Sequence, residues 1–444
     1  MKEDLTKFQW KTSPEGQLLL DELVAEFFVR SSRTEDLRRA MVEKSGTRFF
    51  DWIDHLQLPV GNDLSGRLQA AGFSEKDGVW EHKGAIFPRI KHGDECRIVL
   101  KVESVADFLA THNLQSEIEG IPFGQFRLAR AWDELRVVER HGFRGFSAPN
   151  VGPEKAIQSQ VTRENFRARR RDFGGDDTSA FRALNLQIDE AIDILGRDWT
   201  CDLLFAAERD FWMRRNRAGR VQKARQDCLG LGWANHDHHT YRCRRKTFHH
   251  VIGIFEKLGF TCRERFYAGA QAGWGAQIVE HEATGVTIFA DVDMSAEEVA
   301  GDFAHEGFTD KEGLGTVGLW CELHGESLLE AGMHHLEAQF DFDSLRDQLL
   351  EESGIGMMKP FTDFAWLRQQ FSEGERWPVA ESRLQALMQS GDISEAEADA
   401  FRREGAVGSH LENLERNDGF KGFNQTGISD IIERTDARKL AGKS

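Results

Sequence analysis

Asn235-His236-Asp237-His238-His239-Thr240-Tyr241-Arg242 closes a run, Leu231 to Arg242, that reads as a β-strand and sets the reading of everything after it. Thr247 then caps an expected helix with Phe248, Val251, Ile252, Phe255 and Leu258 on one face and Gly259 at its end, the spacing and the terminator of an amphipathic helix. Phe260 to Phe266 has the pattern of a second strand. Ala276, Ile278 and Glu280 alternate up to a Thr284-Gly285 turn, and Val286, Ile288, Ala290 and Val292 return from it. The stretch is one β-α-β-β-β unit, and Ser295-Ala-Glu-Glu298 reads as a capping box opening a linking helix.

The pattern then restarts. His335 to Phe342 is strand-like, and Asp343 is read as the cap of a helix carrying Leu345, Leu349 and Leu350, ended by Gly354. A helical insertion is expected over 360–405, with a second capping box at Ser394-Glu-Ala-Glu397. The last strands are placed in Gly408 to Leu414 and Gly427 to Arg434. The expected fold class is α+β, with two β-α-β-β-β units in 231–434 forming one curved, cleft-bearing sheet.

Working outward, 151–230 reads as a helical connector, 1–150 as an N-terminal α+β domain and 435–444 as a tail. Ser13 and Pro14 open the first helix; Ser104-Val-Ala-Asp107 caps another between alternating segments at 98–102 and 126–138. That β-α-β-β order raises a degenerate third unit without ligands. Two basic clusters lie in the connector, Arg167, Arg169, Arg170 and Arg171, then Arg214, Arg215, Arg217 and Arg220. They are read as a solvated face pairing with Asp172, Asp176 and Asp177 rather than as a phosphate site.

Charge and composition narrow the partners. Lys+Arg 57 against Asp+Glu 74 leaves −17 over 444 residues, which argues against nucleic acid held by bulk charge. No apolar run reaches the ~18–20 residues of a membrane helix. The start MKEDLTKFQWK has no signal-peptide core, and six cysteines without a CxxC pair read as free thiols in a cytoplasmic protein.

Five of the 16 histidines fall at two places, 236–239 and Met333-His334-His335-Leu336, each at the first strand of a unit. Imidazole is the commonest ligand for a transition metal, and two neighbouring first strands can present one each. The expected metal set is one imidazole from each place, His236 or His238 on the first strand and His335 on the second, with Asp430; Ile428, Asp430 and Ile432 share one strand face, and Glu433, on the other, is the alternative carboxylate. His324 and His410 are candidates to line the same site, while the bland reading of any one histidine pair is structural.

Asp237-His238-His239-Thr240-Tyr241-Arg242 resembles the opening strand of vicinal-oxygen-chelate modules, most closely that of the 2-oxoadipate dioxygenase/decarboxylase family, whose first strand reads His-x-x-x-Arg. His335-Leu336 is similar to that family's second His-Leu strand, although Gln339 stands where an Arg would follow. Asp430-Ile-Ile-Glu-Arg434 resembles its closing strand, where a Glu ligand precedes an Arg by four residues. The resemblance covers 231–434. It implies a non-haem Fe(II)-dependent dioxygenase/decarboxylase that takes a small-molecule 2-oxo acid and O₂ as co-substrate and releases a hydroxylated, shortened acid. Arg242, four residues past His238, is then placed to hold the far carboxylate of a dicarboxylate substrate, with an internal salt bridge as its alternative. Trp233 and Trp274 are candidate walls. Two rivals stand beside this reading. One is a Lewis-acid hydrolase, lyase or isomerase with Zn, Mn or Ni on the same fold; the other is a non-enzymatic ligand- or protein-binding module.

Overall fold

Asp54-His55 and Asp237-His238 each lie on the first strand of a sheet, and the two sheets share one topology. The computed structural model describes residues 10–270, 272–309, 311–424 and 436–440. The chain begins with α1 (Pro14–Arg30) and α2 (Ser32–Ser45). Pro14 occupies the first turn of α1, where its missing N–H has no partner to lose, and Leu19, Leu20, Val24 and Phe27 face inward.

The first sheet follows. β1 (Ile53–Leu58), α3 (Asn62–Ala70), β2 (Ser74–Lys76), β3 (Val79–Glu81) and β4 (Arg89–His92) make one β-α-β-β-β unit. β5 (Arg97–Lys101), α4 (Val105–Thr111), β6 (Ile118–Glu119), β7 (Phe126–Arg130) and β8 (Leu135–Arg140) make another. The strand order is β2-β3-β4-β1-β5-β8-β7-β6, with the two first strands antiparallel at the centre. Ser104 caps α4 through the Asp107 N–H, as its sequence implies. The degenerate third unit expected here is therefore two complete units.

Helices α5 (Pro153–Arg167), α6 (Asp177–Leu195), α7 (Arg197–Arg214) and α8 (Arg217–Asp227) connect the halves. The reading of Arg169 and Arg171 as a solvated face is corrected. Both converge on Glu208, which is fully buried on α7. Arg169 also donates to the Leu328 and Leu329 carbonyls, at 2.6 and 3.2 Å, which ties the connector to the second half. A buried carboxylate demands charged partners, and two guanidinium groups supply them.

The second sheet repeats the first. β9 (His236–Cys243), α9 (Phe248–Leu258), β10 (Thr261–Tyr267), β11 (Trp274–Glu280) and β12 (Thr287–Asp293) form the third unit. After α10 (Phe303–Glu306) and α11 (Thr316–His324) comes the fourth: β13 (His335–Gln339), α12 (Phe342–Ser353), β14 (Thr362–Phe364), β15 (Leu367–Phe371), β16 (Glu375–Trp377), α13 (Glu381–Ser390), α14 (Glu395–Glu404) and β17 (Ala406–Arg416). Eight of the second sheet's nine strands, in the order β10-β11-β12-β9-β13-β17-β15-β14, match the first sheet, and β16 pairs with β17 off that path. The fold is α+β, built of paired β-α-β-β-β units in two curved sheets.

Three local expectations change. The segment 360–405 is not all helix: β14 and β15 belong to the sheet, and the inserted helices are α13 and α14, the latter with both bonds of its capping box. Asp341, not Asp343, caps α12 by accepting from the Ser344 N–H. Ser295 and Glu298 pair, but the turn that follows is a single 3-10 turn at Glu298–Ala300. The strand expected at Gly427 to Arg434 lies outside the described residues, and the fourth unit closes on β17 instead. Tyr241, Cys243, Val251, Phe255, Leu336 and Leu411 build the core on the helix-covered face of the second sheet, which leaves the concave face for the site.

Candidate metal centre

Period-two alternation sends His238, Thr240 and Arg242 of β9 to the concave face while Tyr241 and Cys243 enter the core. β13 contributes His335 and Glu337 in the same way, and β17 contributes Glu412. Register does the rest. His335 lies beside Thr240 across the antiparallel central pair, and Glu337 lies beside Glu412 across the parallel pair. Residues nearly a hundred positions apart become neighbours at strand spacing.

His238 Nε2 is 3.4 Å from Glu337 Oε1, and His335 Nδ1 is 3.8 Å from the same oxygen. One ligand-type atom each of His238, Glu337 and Glu412 lies within 4.8 Å of the others. Asp237 Oδ1 sits 2.8 Å from His238 Nδ1, so Nδ1 carries the proton and Nε2 presents its lone pair to the cavity. Asp237 is held in turn by Arg416, through Nε and Nη2 at 3.0 Å each, and by Gln339 Nε2 at 3.0 Å. Thr240 donates to Glu337 at 2.6 Å and Gln369 to Glu412 at 2.8 Å. His335 Nε2 and Glu337 Oε2 are buried without a hydrogen-bond partner among the described residues.

Phe266, Trp274, Phe289, Phe371 and Phe423 wall the cavity. The Phe371 ring stacks on His335 at 4.3 Å, and Phe289 and Phe423 lie 4.8 and 4.9 Å from His238. Burial in this setting keeps both imidazoles neutral, His335 well below its ordinary range. It pushes Glu337 well above the usual carboxylate range, and the Glu412 charge pushes it further; Glu412 is raised as well. Asp291, beside Arg242 in register, is raised to about 8 by burial, opposed by the Arg242 charge. Three buried carboxyl groups and two imidazoles with unshared lone pairs make a donor set short of positive charge, which suits a divalent cation.

Of the residues singled out from sequence, His238, His335 and Arg242 line this one cavity. The Arg242 guanidinium is buried, with no hydrogen bond or ion pair among the described residues, so the internal salt bridge offered as its alternative is absent there. Asp430 and Glu433 lie outside the described residues. The carboxylates that the described strands bring to the histidines are Glu337 and Glu412, neither of which the sequence reading chose. His410 adjoins His335, their rings 5.3 Å apart, but donates its Nδ1 proton to Ser372 O at 2.7 Å. It also completes a second candidate trio with His334 and His335. His324 is packing, bonded to Val407 O between Trp320 and Trp377. Trp274 is a wall; Trp233 instead packs on Trp212 in the connector core.

A signal for Glu412 was present in the sequence. Glu139-Arg140-His141-Gly142-Phe143-Arg144-Gly145-Phe146 recurs as Glu415-Arg416-Asn417-Asp418-Gly419-Phe420-Lys421-Gly422-Phe423. The structure shows why. Arg140 grips Asp54 at 2.7 and 2.9 Å and donates to the Phe143 and Gly145 carbonyls. Arg416 grips Asp237 and donates to the Phe420 and Gly422 carbonyls. His55 Nδ1 lies 2.6 Å from Asp54, as His238 does beside Asp237. The equivalence fails at the cavity-facing positions of the next two strands. By register, Arg97 stands for His335, Val99 for Glu337 and Arg136 for Glu412.

No protein-family model matches the chain, and no curated relative matches it. Among solved structures, a mutant of 4-hydroxymandelate synthase from Streptomyces coelicolor is similar over 86% of this chain and 98% of its own, at 13% identity and TM-score 0.27. A glyoxalase superfamily protein from Ralstonia eutropha JMP134 is similar over 60% and 97%, at 12% identity and TM-score 0.32. Methylmalonyl-CoA epimerase from Mycobacterium tuberculosis is similar over 41% and 89%, at 11% identity and TM-score 0.24. Among the described residues, no helix is long and apolar enough to cross a membrane.

Proposed function

We propose that the second sheet is the catalytic half of a non-haem Fe(II)-dependent dioxygenase/decarboxylase acting on a 2-oxo acid, of the kind the 2-oxoadipate family resemblance implies. His238, His335 and Glu412 are its metal ligands. The observation that carries the reading is the buried guanidinium of Arg242, without a hydrogen bond or ion pair among the described residues, in the same aromatic cavity as two imidazoles and a carboxyl group. Two imidazoles and one carboxylate leave positions open on an octahedral ion, the donor set of oxygen-activating iron. Iron, when bound, would supply O₂ activation and oxidative decarboxylation.

The chain's own residues do the rest. Asp237 fixes the His238 tautomer. Arg242 holds the remote carboxylate of the substrate through its planar fork. The Phe and Trp walls exclude water and strengthen that contact. Glu337, whose pKa burial and the Glu412 charge raise well above the usual carboxylate range, sets a further carboxyl group beside the ligands.

Oxygen uptake by anaerobically purified protein, with added Fe(II) and a panel of 2-oxo acids, tests this. Wild type should consume oxygen with at least one 2-oxo diacid. Arg242→Ala should keep the metal, because guanidinium is no ligand. Loss of a charged partner in a closed site costs about 2–5 kcal/mol, so its turnover should fall roughly 30-fold to several thousand-fold. Glu412→Gln should lose metal and turnover together. If no 2-oxo acid stimulates oxygen consumption, the Lewis-acid reading, with Zn, Mn or Ni, replaces this one.

A further inference from the structure

A second cavity, of about 620 Å³, lies where the ends of β5 and β8 meet α4, α5, α7 and the start of β9. Its volume falls within the ~300–1,000 Å³ of small-molecule sites. Its lining is crowded with charge, and almost all of that charge is paired. Arg127 meets Glu139 at 3.3 Å, Lys223 meets Glu103 at 2.9 Å, Arg140 meets Asp54 at 2.7 Å, and Arg163 reaches Asp210 at 3.9 Å. His141 lies between Asp202, at 2.8 Å, and Glu139, at 3.2 Å.

Two cations are left over. Lys101, the last residue of β5, lines this cavity and the neighbouring one between the sheets, and its amine has no hydrogen bond or ion pair among the described residues. The carboxylates nearest in effect, Asp202 and Asp54, are already taken by His141 and by Arg140 with His55. Arg209 is buried on α7, and among the described residues its guanidinium makes one hydrogen bond, to the ring nitrogen Nε2 of His239 at 3.2 Å. An amine and a guanidinium face one internal space whose nearby carboxylates, Asp202 and Glu103, are bonded to His141 and Lys223, and an anion between them would complete both cations. Trp199 and Trp233 add flat apolar surface to the same lining.

We infer that this cavity is a binding site for a small oxyanion-bearing metabolite, a carboxylate or a phosphate monoester, held by Lys101 and Arg209. It is separate from the cavity of His238 and Arg242, and the inference does not depend on the chemistry proposed there.

The test is calorimetric titration of the full-length protein with succinate and, separately, with inorganic phosphate, at constant ionic strength set with sodium chloride. The expected result is saturable binding of at least one of the two that is kept in Arg242→Met and is about tenfold or more weaker in Lys101→Met, since hydrogen bonds to charged groups are the stronger class. Which anion binds tells a carboxylate site from a phosphate site. Lys101→Gln serves as a second variant if Lys101→Met does not fold. Binding lost in Arg242→Met and kept in Lys101→Met would assign the anion to the other cavity and overturn the inference, as would no binding of either anion to wild type.

Discussion

His324 shows what this interior does to an imidazole. Its Nε2 donates to Val407 O at 3.2 Å, the Trp320 and Trp377 rings lie 5.3 and 5.2 Å away, and burial holds its pKa down to about 3. The unfolded chain takes up a proton near the ordinary value of 6.5, and the native state does not. Stability from this residue is therefore present above pH 6.5 and lost as pH falls from 6.5 towards 3. At pH 4.5 the loss is about 2–3 kcal/mol. Denaturant melts at pH 6.5 and 4.5 should show a difference smaller by about that amount in His324→Gln; an unchanged difference would put the acid sensitivity elsewhere. Glu337 and Glu412 work with the opposite sign, because their raised pKa values make the metal-free fold weaker as pH rises. A bound cation would remove that weakness.

At the scale of elements, the unit that recurs is a first strand carrying Asp-His, a last strand ending in Arg, and a loop that folds back under that Arg. Asp237 and Asp54 are both held well below the usual carboxylate range; burial opposes this, and His and Arg partners overcome it. Removing one partner of a buried ion pair costs about 3–5 kcal/mol. Arg416→Met and Arg140→Met should each lose about that much in denaturant melts. Only Arg416→Met should also weaken metal binding, by roughly 10- to 100-fold, because Asp237 orients His238. Equal metal affinity in the two variants would make the Arg416 brace purely structural. The strands of the fourth unit were hard to read for a related reason. In Leu367-Arg-Gln-Gln-Phe371 the buried positions include Gln369 and Gln370, with Gln369 serving Glu412, so polar side chains hide the strand's inward face.

The whole molecule is a duplicated pair of units whose two halves differ at the positions proposed to face the metal. The first sheet retains Asp54, His55 and Arg140 but carries Arg97, Val99 and Arg136 at the three positions that correspond to His335, Glu337 and Glu412. Two cations and a valine cannot ligate a metal ion. Metal analysis of saturated protein should give one ion per chain, and His335→Ala should bring it to none. A second equivalent surviving that substitution would place another site in the chain.

Periodicity within single elements was legible without coordinates, because alternation and helix-face spacing are local properties of the chain. It supplied the third unit, the restart at His335, and His238 and Arg242 on one strand face. Among the described residues, only the tertiary structure brings carboxyl groups to those histidines: β17 runs beside β13, and that pairing sets Glu412 next to Glu337 and within reach of His238, while Asp430 lies outside the described residues. Strand pairing joins segments separated by some seventy residues, through backbone bonds that carry no residue code, so register has to be settled by the packing of both faces at once. That Arg242 and Lys101 find no hydrogen-bond or ion-pair partner among the described residues is of the same kind. A residue's lack of partners is a fact about every other element in the fold, and no window of sequence contains it.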